Sequence, residues 1–194
     1  GESYGGREER AAVAVLGQGL DLGIDFFDTA DLYGAGRSER LLGAALRGRR
    51  EQALIATKGG TLPHRGFVMP QDFSRDHLRR ALEGSLARLG TDHVDLYQLH
   101  SPTLEALLAD ESPLETLIGF QAEGLVRAWG ISVRPPADGL ADLERWPIPV
   151  LQVNFNLIDQ RAKECGLLAL AAERGTGIIV RTPLVFGFLT GALT

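Results

Sequence analysis

Apolar residues recur along this chain in two alternating rhythms. From Glu8 to Leu20, Ala12, Val15, Leu16 and Gly19 fall at helical spacing, and Gly23 ends that pattern before the compact run Ile24-Asp25-Phe26-Phe27. The first segment reads as a helix, the second as a buried strand. The alternation repeats. A helix begun at Ser38 carries Leu41 to Leu46, and Ala53-Leu54-Ile55-Ala56-Thr57 follows as a strand. Leu78, Leu82, Leu86 and Leu89 mark one face of a third helix, with Ser74 as its cap, ahead of a strand from Val94 to Leu99. Ser112-Pro113-Leu114-Glu115 has capping-box spacing with Pro at the first helical position, so a helix is expected from Pro113 to about Glu123. Beyond it come a strand from Val126 to Ile131, a short helix near Ala137 to Leu143 and a strand from Val150 to Asn154. A helix from Ala162 to Arg174 and a strand from Gly177 to Val180 complete the pattern, with Pro183 to Thr194 as a loop.

Strands that alternate strictly with helices and are almost continuously apolar imply a parallel sheet covered by helices, closed into a barrel or open and doubly wound. The placement of polar residues favours the barrel. Asp28, Lys58, His100 and Ser132 follow the first four strands, Gln152 lies within the fifth and Arg181 follows the sixth. Barrels gather strand ends around one mouth, whereas open sheets concentrate ligand contacts at a switch point. Gly17-Gln18-Gly19 and Gly34-Ala35-Gly36 lack the third glycine of a dinucleotide fingerprint and are not read as following a strand and opening a helix. The expected fold is therefore α/β, an incomplete (β/α)8 TIM barrel forming a single domain over residues 1–194. A complete barrel needs eight strands, so one strand is expected before Gly1 and the final βα units after Thr194.

Composition narrows the function classes. With 44% hydrophobic and 23% charged residues the chain is an ordinary globular one. A net charge of −5, with the longest basic run (Arg47-Gly48-Arg49-Arg50) at a helix end, makes nucleic acid a poor partner. The single Cys165 cannot form an intramolecular disulfide, and no Cys/His cluster has zinc spacing, so neither a metal nor a disulfide framework is expected and the cytoplasm is the expected location. No apolar run has the length of a membrane helix.

The chemistry concentrates in Phe26-Phe27-Asp28-Thr29-Ala30-Asp31-Leu32-Tyr33-Gly34. An acid ends a strand and a tyrosine follows in the loop above it; Lys58 and His100 from the next two strands bring titratable groups to the same end. A buried lysine paired with Asp stays charged, and its charge favours tyrosinate, so the tyrosine suits a general acid near neutral pH.

Phe27-Asp28-Thr29-Ala30 with Tyr33, Ala56-Thr57-Lys58, Asp92-His93-Val94-Asp95-Leu96-Tyr97-Gln98-Leu99-His100, Gly130-Ile131-Ser132, and Leu184 to Gly191 (LVFGFLTG) together resemble the aldo-keto reductase superfamily, in order and across essentially the whole chain. The resemblance implies a (β/α)8 carbonyl reductase that takes NADPH or NADH and needs no metal, acting on a small-molecule aldehyde or ketone, with homo-oligomerisation left open. It matches Asp28, Tyr33, Lys58 and His100 to the family's catalytic tetrad. Tyr33 would protonate the carbonyl oxygen, Lys58 held by Asp28 would tune it, and His100 would orient the carbonyl. Ser132 and Gln152 match contacts to the nicotinamide carboxamide. Arg181 stands where many members place an aromatic ring, and Thr182 to Gly187, with Pro183, Leu184 and Gly187, matches the segment that meets the cofactor pyrophosphate. Val133 departs from the family's frequent Asn and cannot make a carboxamide hydrogen bond.

Other readings stand beside this one. A cofactor-binding scaffold or sensor of the same fold would keep binding and lose turnover, and an aldolase-like barrel would use Lys58 as a Schiff-base lysine. Cys165, Trp129 and Trp146 are expected to be packing residues, and His64, His77 and His93 surface or loop residues. Asn154 and Asn156 stand equally for ligand contact and for loop support. The loop with His64, Arg65, Phe67, Met69 and Phe73 is a candidate substrate wall or oligomer contact.

Overall fold

A computed structural model describes residues 8–63 and 69–191. His64, Arg65 and Phe67 lie outside the described residues. In chain order the elements are α1 (Glu9–Asp21), β1 (Phe26–Asp28), α2 (Arg37–Ala45), β2 (Leu54–Gly59), α3 (Arg75–Leu89), β3 (Val94–His100), α4 (Leu104–Ala109), α5 (Ser112–Ala122), β4 (Val126–Ser132), α6 (Pro136–Arg145), β5 (Val150–Asn154), α7 (Arg161–Glu164), α8 (Leu167–Arg174) and β6 (Gly177–Arg181). A 3-10 turn covers Val185–Thr190. The chain forms two compact units. One runs to His100 and resumes over Ser112–Ala128; the other comprises Ser101–Glu111 and the chain from Trp129 onward.

In the first unit β1 pairs in parallel with β2 (Phe26 opposite Leu54, Asp28 opposite Ala56), and β2 with β3 (Ala56 opposite Leu96, Lys58 opposite Gln98). In the second, β4 pairs with β5 and β5 with β6, again in parallel. Each pairing joins consecutive strands. A doubly wound sheet would instead reverse its strand order at a switch point, whereas the consecutive parallel order within each unit is that of the barrel alternative weighed from the sequence.

Local chemistry explains most boundaries. The Ser74 hydroxyl accepts from the His77 amide at the start of α3, and Gly90 in the left-handed region (φ 69°) closes it. Leu78, Leu82 and Leu89 are buried from this helix, together with Ile55, Leu96, Leu99, Leu117 and Phe120 from its neighbours. In the second unit Ile131, Val133, Leu143, Leu151, Val153 and Leu167 form the core. Among the described residues no helix is long and apolar enough to cross a membrane.

Several expectations change. The run from Ile24 to Phe27 is not a buried strand: β1 begins at Phe26, and both Ile24 and Phe26 are exposed. Among the described residues of its unit β1 pairs with β2. Val15 likewise faces outward on α1, which buries Leu20. The helix expected from Ala162 to Arg174 is two helices, because Gly166 adopts φ +88° and breaks the hydrogen-bond ladder between them. Ser101 to Glu111 contains α4, a helix the apolar pattern did not mark, whose Thr103 hydroxyl accepts from the Ala106 amide. Gly34-Ala35-Gly36 does stand between β1 and α2, with Gly36 at the helix start, although it still lacks a third glycine.

Candidate active site

Strand ends build the site in the first unit. Asp28 ends β1, Lys58 is the next-to-last residue of β2 and His100 ends β3. Alternation along β2 turns Lys58 and Thr57 to opposite faces. The Lys58 side chain is 1% exposed, and its ammonium donates to Asp28 Oδ1 and Oδ2 at 2.8 and 2.7 Å and to the Thr29 carbonyl at 2.6 Å. Three acceptors for three N–H donors satisfy the cation without water. Removing one partner of such a pair would leave an uncompensated buried charge.

Tyr33 sits on the loop between β1 and α2. Its ring centroid is 5.3 Å from Lys58 Nζ and 5.8 Å from the His100 ring, which it meets edge-on at 83°. The loop is tied to β2 by Thr29 N–H to the Ala56 carbonyl and Asp31 N–H to the Lys58 carbonyl. His100 is buried, and its carbonyl accepts from the Thr61 hydroxyl at 2.6 Å. All four candidate catalytic residues are therefore neighbours within one unit. Together they place a fixed positive charge and an imidazole beside a phenol, an arrangement suited to moving the phenolic proton.

In the second unit, Ser132 ends β4 and Gln152 lies in β5, opposite each other in register. The buried Ser132 hydroxyl donates to Gln152 Oε1 at 3.0 Å. Arg181 ends β6 and donates through Nη2 to the Val133 carbonyl at 3.0 Å. Val133 itself is fully buried, with its side chain against Gly139 of α6. The next residue, Thr182, is held at φ 59° from two sides: its hydroxyl donates to Asn154 Oδ1, and its carbonyl accepts from Asn156 Nδ2. Those bonds favour the loop-support reading of Asn154 and Asn156. Beyond Pro183 and Leu184, Val185, Phe186 and Gly187 take φ values of 49°, 54° and 98°.

A sequence model of the Aldo/keto reductase family matches residues 1–194. The chain belongs to that family. The uncharacterized oxidoreductase YqkF of Bacillus subtilis is 36% identical over 186 residues, covering 95% of this chain and 60% of its own. The holo form of an aldo-keto reductase from Bacillus halodurans superposes with a TM-score of 0.84 at 35% identity, over 95% of this chain and 61% of its own. An aldo/keto reductase from Klebsiella pneumoniae in complex with NADP and acetate gives 0.74 at 28% identity, over 95% and 62%. This chain thus has an α/β fold that matches part of the (β/α)8 barrel of the aldo/keto reductases, and it spans about three-fifths of the length of the relatives it matches.

Sequence reasoning passed over a set of polar residues around the four candidate catalytic residues of this aldo/keto reductase. Glu39 on α2 is completely buried and takes bonds from Thr57 and Arg88, both at 2.6 Å. Asp31 has one carboxylate oxygen without a partner among the described residues; burial, then the charge of Glu39, pushes its pKa up to about 6. Gln98, opposite Lys58 in register and on the same face of β3 as His100, is also fully buried, and neither of its amide atoms has a partner among the described residues. Alternation from His100 was the available signal for Gln98. Glu39 carried none, since Arg37-Ser38-Glu39-Arg40 reads as a solvated first turn.

Proposed function

We propose that this aldo/keto reductase reversibly reduces an aldehyde or ketone to an alcohol with NADPH or NADH, residues 1–194 being part of one catalytic domain. The observation that carries this is the buried Lys58 ammonium, fixed by Asp28 and Thr29 and lying against Tyr33. Tyr33 gives its phenolic proton to the carbonyl oxygen of the substrate, and the Lys58 charge stabilises the phenolate that remains. Running backwards, the phenolate takes the alcohol proton. His100, edge-on to the Tyr33 ring, donates to the carbonyl oxygen and orients it.

The second unit's residues fit a nicotinamide. Because Ser132 donates to Gln152 Oε1, the Gln152 NH2 can donate and the Ser132 oxygen can accept, the complement of a carboxamide. Arg181 offers a planar guanidinium for stacking. Leu184 in the bridge region (φ −97°, ψ 6°) followed by Val185 at positive φ turns successive N–H groups towards one side, a cradle suited to a pyrophosphate. When bound, the nicotinamide supplies the hydride that reaches the carbonyl carbon. The NADP complex of the Klebsiella relative supports the same cofactor class here.

The test is steady-state loss of nicotinamide absorbance with the full-length protein, NADPH, and methylglyoxal or 4-nitrobenzaldehyde as substrate. Tyr33→Phe is expected to lower kcat by about 100-fold or more while the fold is retained. Unchanged turnover in that variant overturns the assignment. Val133, which removes one carboxamide partner, favours the scaffold or sensor as second reading. That reading requires NADPH binding without turnover of any carbonyl.

A further inference from the structure

Tyr33 and Lys58 come from different elements, so their separation must be set by something stiffer than the loop that carries Tyr33. The structure closes a ring of bonds around that loop. Lys58 Nζ donates to the Thr29 carbonyl at 2.6 Å, and the Thr29 hydroxyl donates to Ser38 Oγ at 2.8 Å. Ser38 is covalently followed by Glu39, which accepts from the Thr57 hydroxyl at 2.6 Å, and Thr57 is covalently followed by Lys58. Tyr33 lies inside this circuit, between Thr29 and Ser38, and its own carbonyl accepts from the Ser38 amide at 3.2 Å.

Burial shows how much the ring costs and how firmly it is held. Thr29, Thr57 and Glu39 are 2%, 0% and 0% exposed. A carboxylate without water is tolerated only when donors replace its hydration, and Arg88 of α3 supplies the second bond to Glu39 at 2.6 Å while its Nη2 donates to Ser85 at 3.2 Å. Arg88 and Thr57 thus hold the Glu39 carboxylate from two elements, α3 and β2. Thr57 points to the face of β2 opposite Lys58, so its hydroxyl cannot touch a carbonyl substrate held on the Lys58 side.

We propose that Glu39, Thr57, Ser38 and Thr29 are positioning residues that set the Tyr33 to Lys58 geometry for proton transfer. The inference rests on the tetrad reading above. A ring of this kind acts on the chemical step and leaves substrate binding alone, so cutting it lowers kcat with little change in KM.

The experiment measures kcat, KM for methylglyoxal, and the thermal midpoint of the full-length enzyme for Thr57→Val, Thr57→Ser, Ser38→Ala and Tyr33→Phe. Thr57→Val keeps the shape and deletes the hydroxyl. Its kcat is expected to fall about 10- to 100-fold with KM within about threefold, and Thr57→Ser is expected to restore most of the loss. Where Thr57→Val does not fold, Ser38→Ala cuts the ring at its other end and carries the same expectation. If Tyr33→Phe is inactive while the ring variants keep wild-type kcat and merely melt earlier, the positioning role is wrong and the tetrad reading survives. If Tyr33→Phe retains turnover, the tetrad reading falls, and the positioning role with it.

Discussion

Each unit of the molecule buries one carboxylate on a helix, and the two are handled in opposite ways. Glu39 in the first unit has both oxygens bonded, to a hydroxyl and to a guanidinium. Asp142 on α6 of the second unit is 1% exposed, yet its Oδ1 has no partner among the described residues, and burial, reinforced by the charge of Asp138, pushes its pKa up to about 7. The first carboxylate is met by donors on both oxygens; the second takes up a proton as pH falls through about 7. What separates them is the supply of donors rather than the depth of burial. Donors are concentrated where the protein carries its candidate catalytic residues, and the second unit arranges its candidate cofactor residues with a neutral hydroxyl–amide pair.

The most severe way to break this contrast is Glu39→Ala. It leaves the buried Thr57 hydroxyl and the partly exposed Arg88 guanidinium without their shared acceptor and is expected to cost about 2–3 kcal/mol, read from urea unfolding. Retention of wild-type stability would show that Glu39 is not held as the geometry indicates.

Asp142→Asn should act in the other direction. Folded, the Asp142 carboxyl keeps its proton up to about pH 7, against 3.8 for an ordinary solvated aspartate, so the unfolded chain loses its proton first as pH rises. Stability contributed by this residue therefore declines between about pH 4 and pH 7 and stays low above that window. The Asn variant should gain about 2 kcal/mol more over wild type at pH 8 than at pH 5. A gain of equal size at both values would dismiss the buried acid as its source. Smallest in effect is Ser132→Ala, which removes one neutral bond of about 1 kcal/mol and is expected to weaken NADPH binding about fivefold by titration.

Much of the candidate tetrad was legible because its signals are local. Acid, lysine and histidine stand at strand ends that periodicity alone locates, and Ser74, Pro113 and Gly90 mark helix boundaries through their own backbone chemistry. Gly166 was a local signal too, and a break was available there, but the apolar period running through Ala162 to Arg174 concealed it. Glu39 was illegible for a different reason. Its burial depends on α2 lying close on α3, where Gly43 leaves no room for a Cβ against the Leu89 carbonyl, and on an arginine 49 positions away. Asp142 was hidden likewise among the ordinary charges of an amphipathic helix.

The sequence by itself determined the alternation of helices and strands, the residues standing at the strand ends, and the family, since these depend on neighbours within a few positions and on ordered motifs. Tertiary structure alone decided which polar groups lose their water. A side chain's solvation is set by whatever packs over it, and for Glu39, Asp31, Gln98 and Asp142 the covering groups come from parts of the chain that no local period connects.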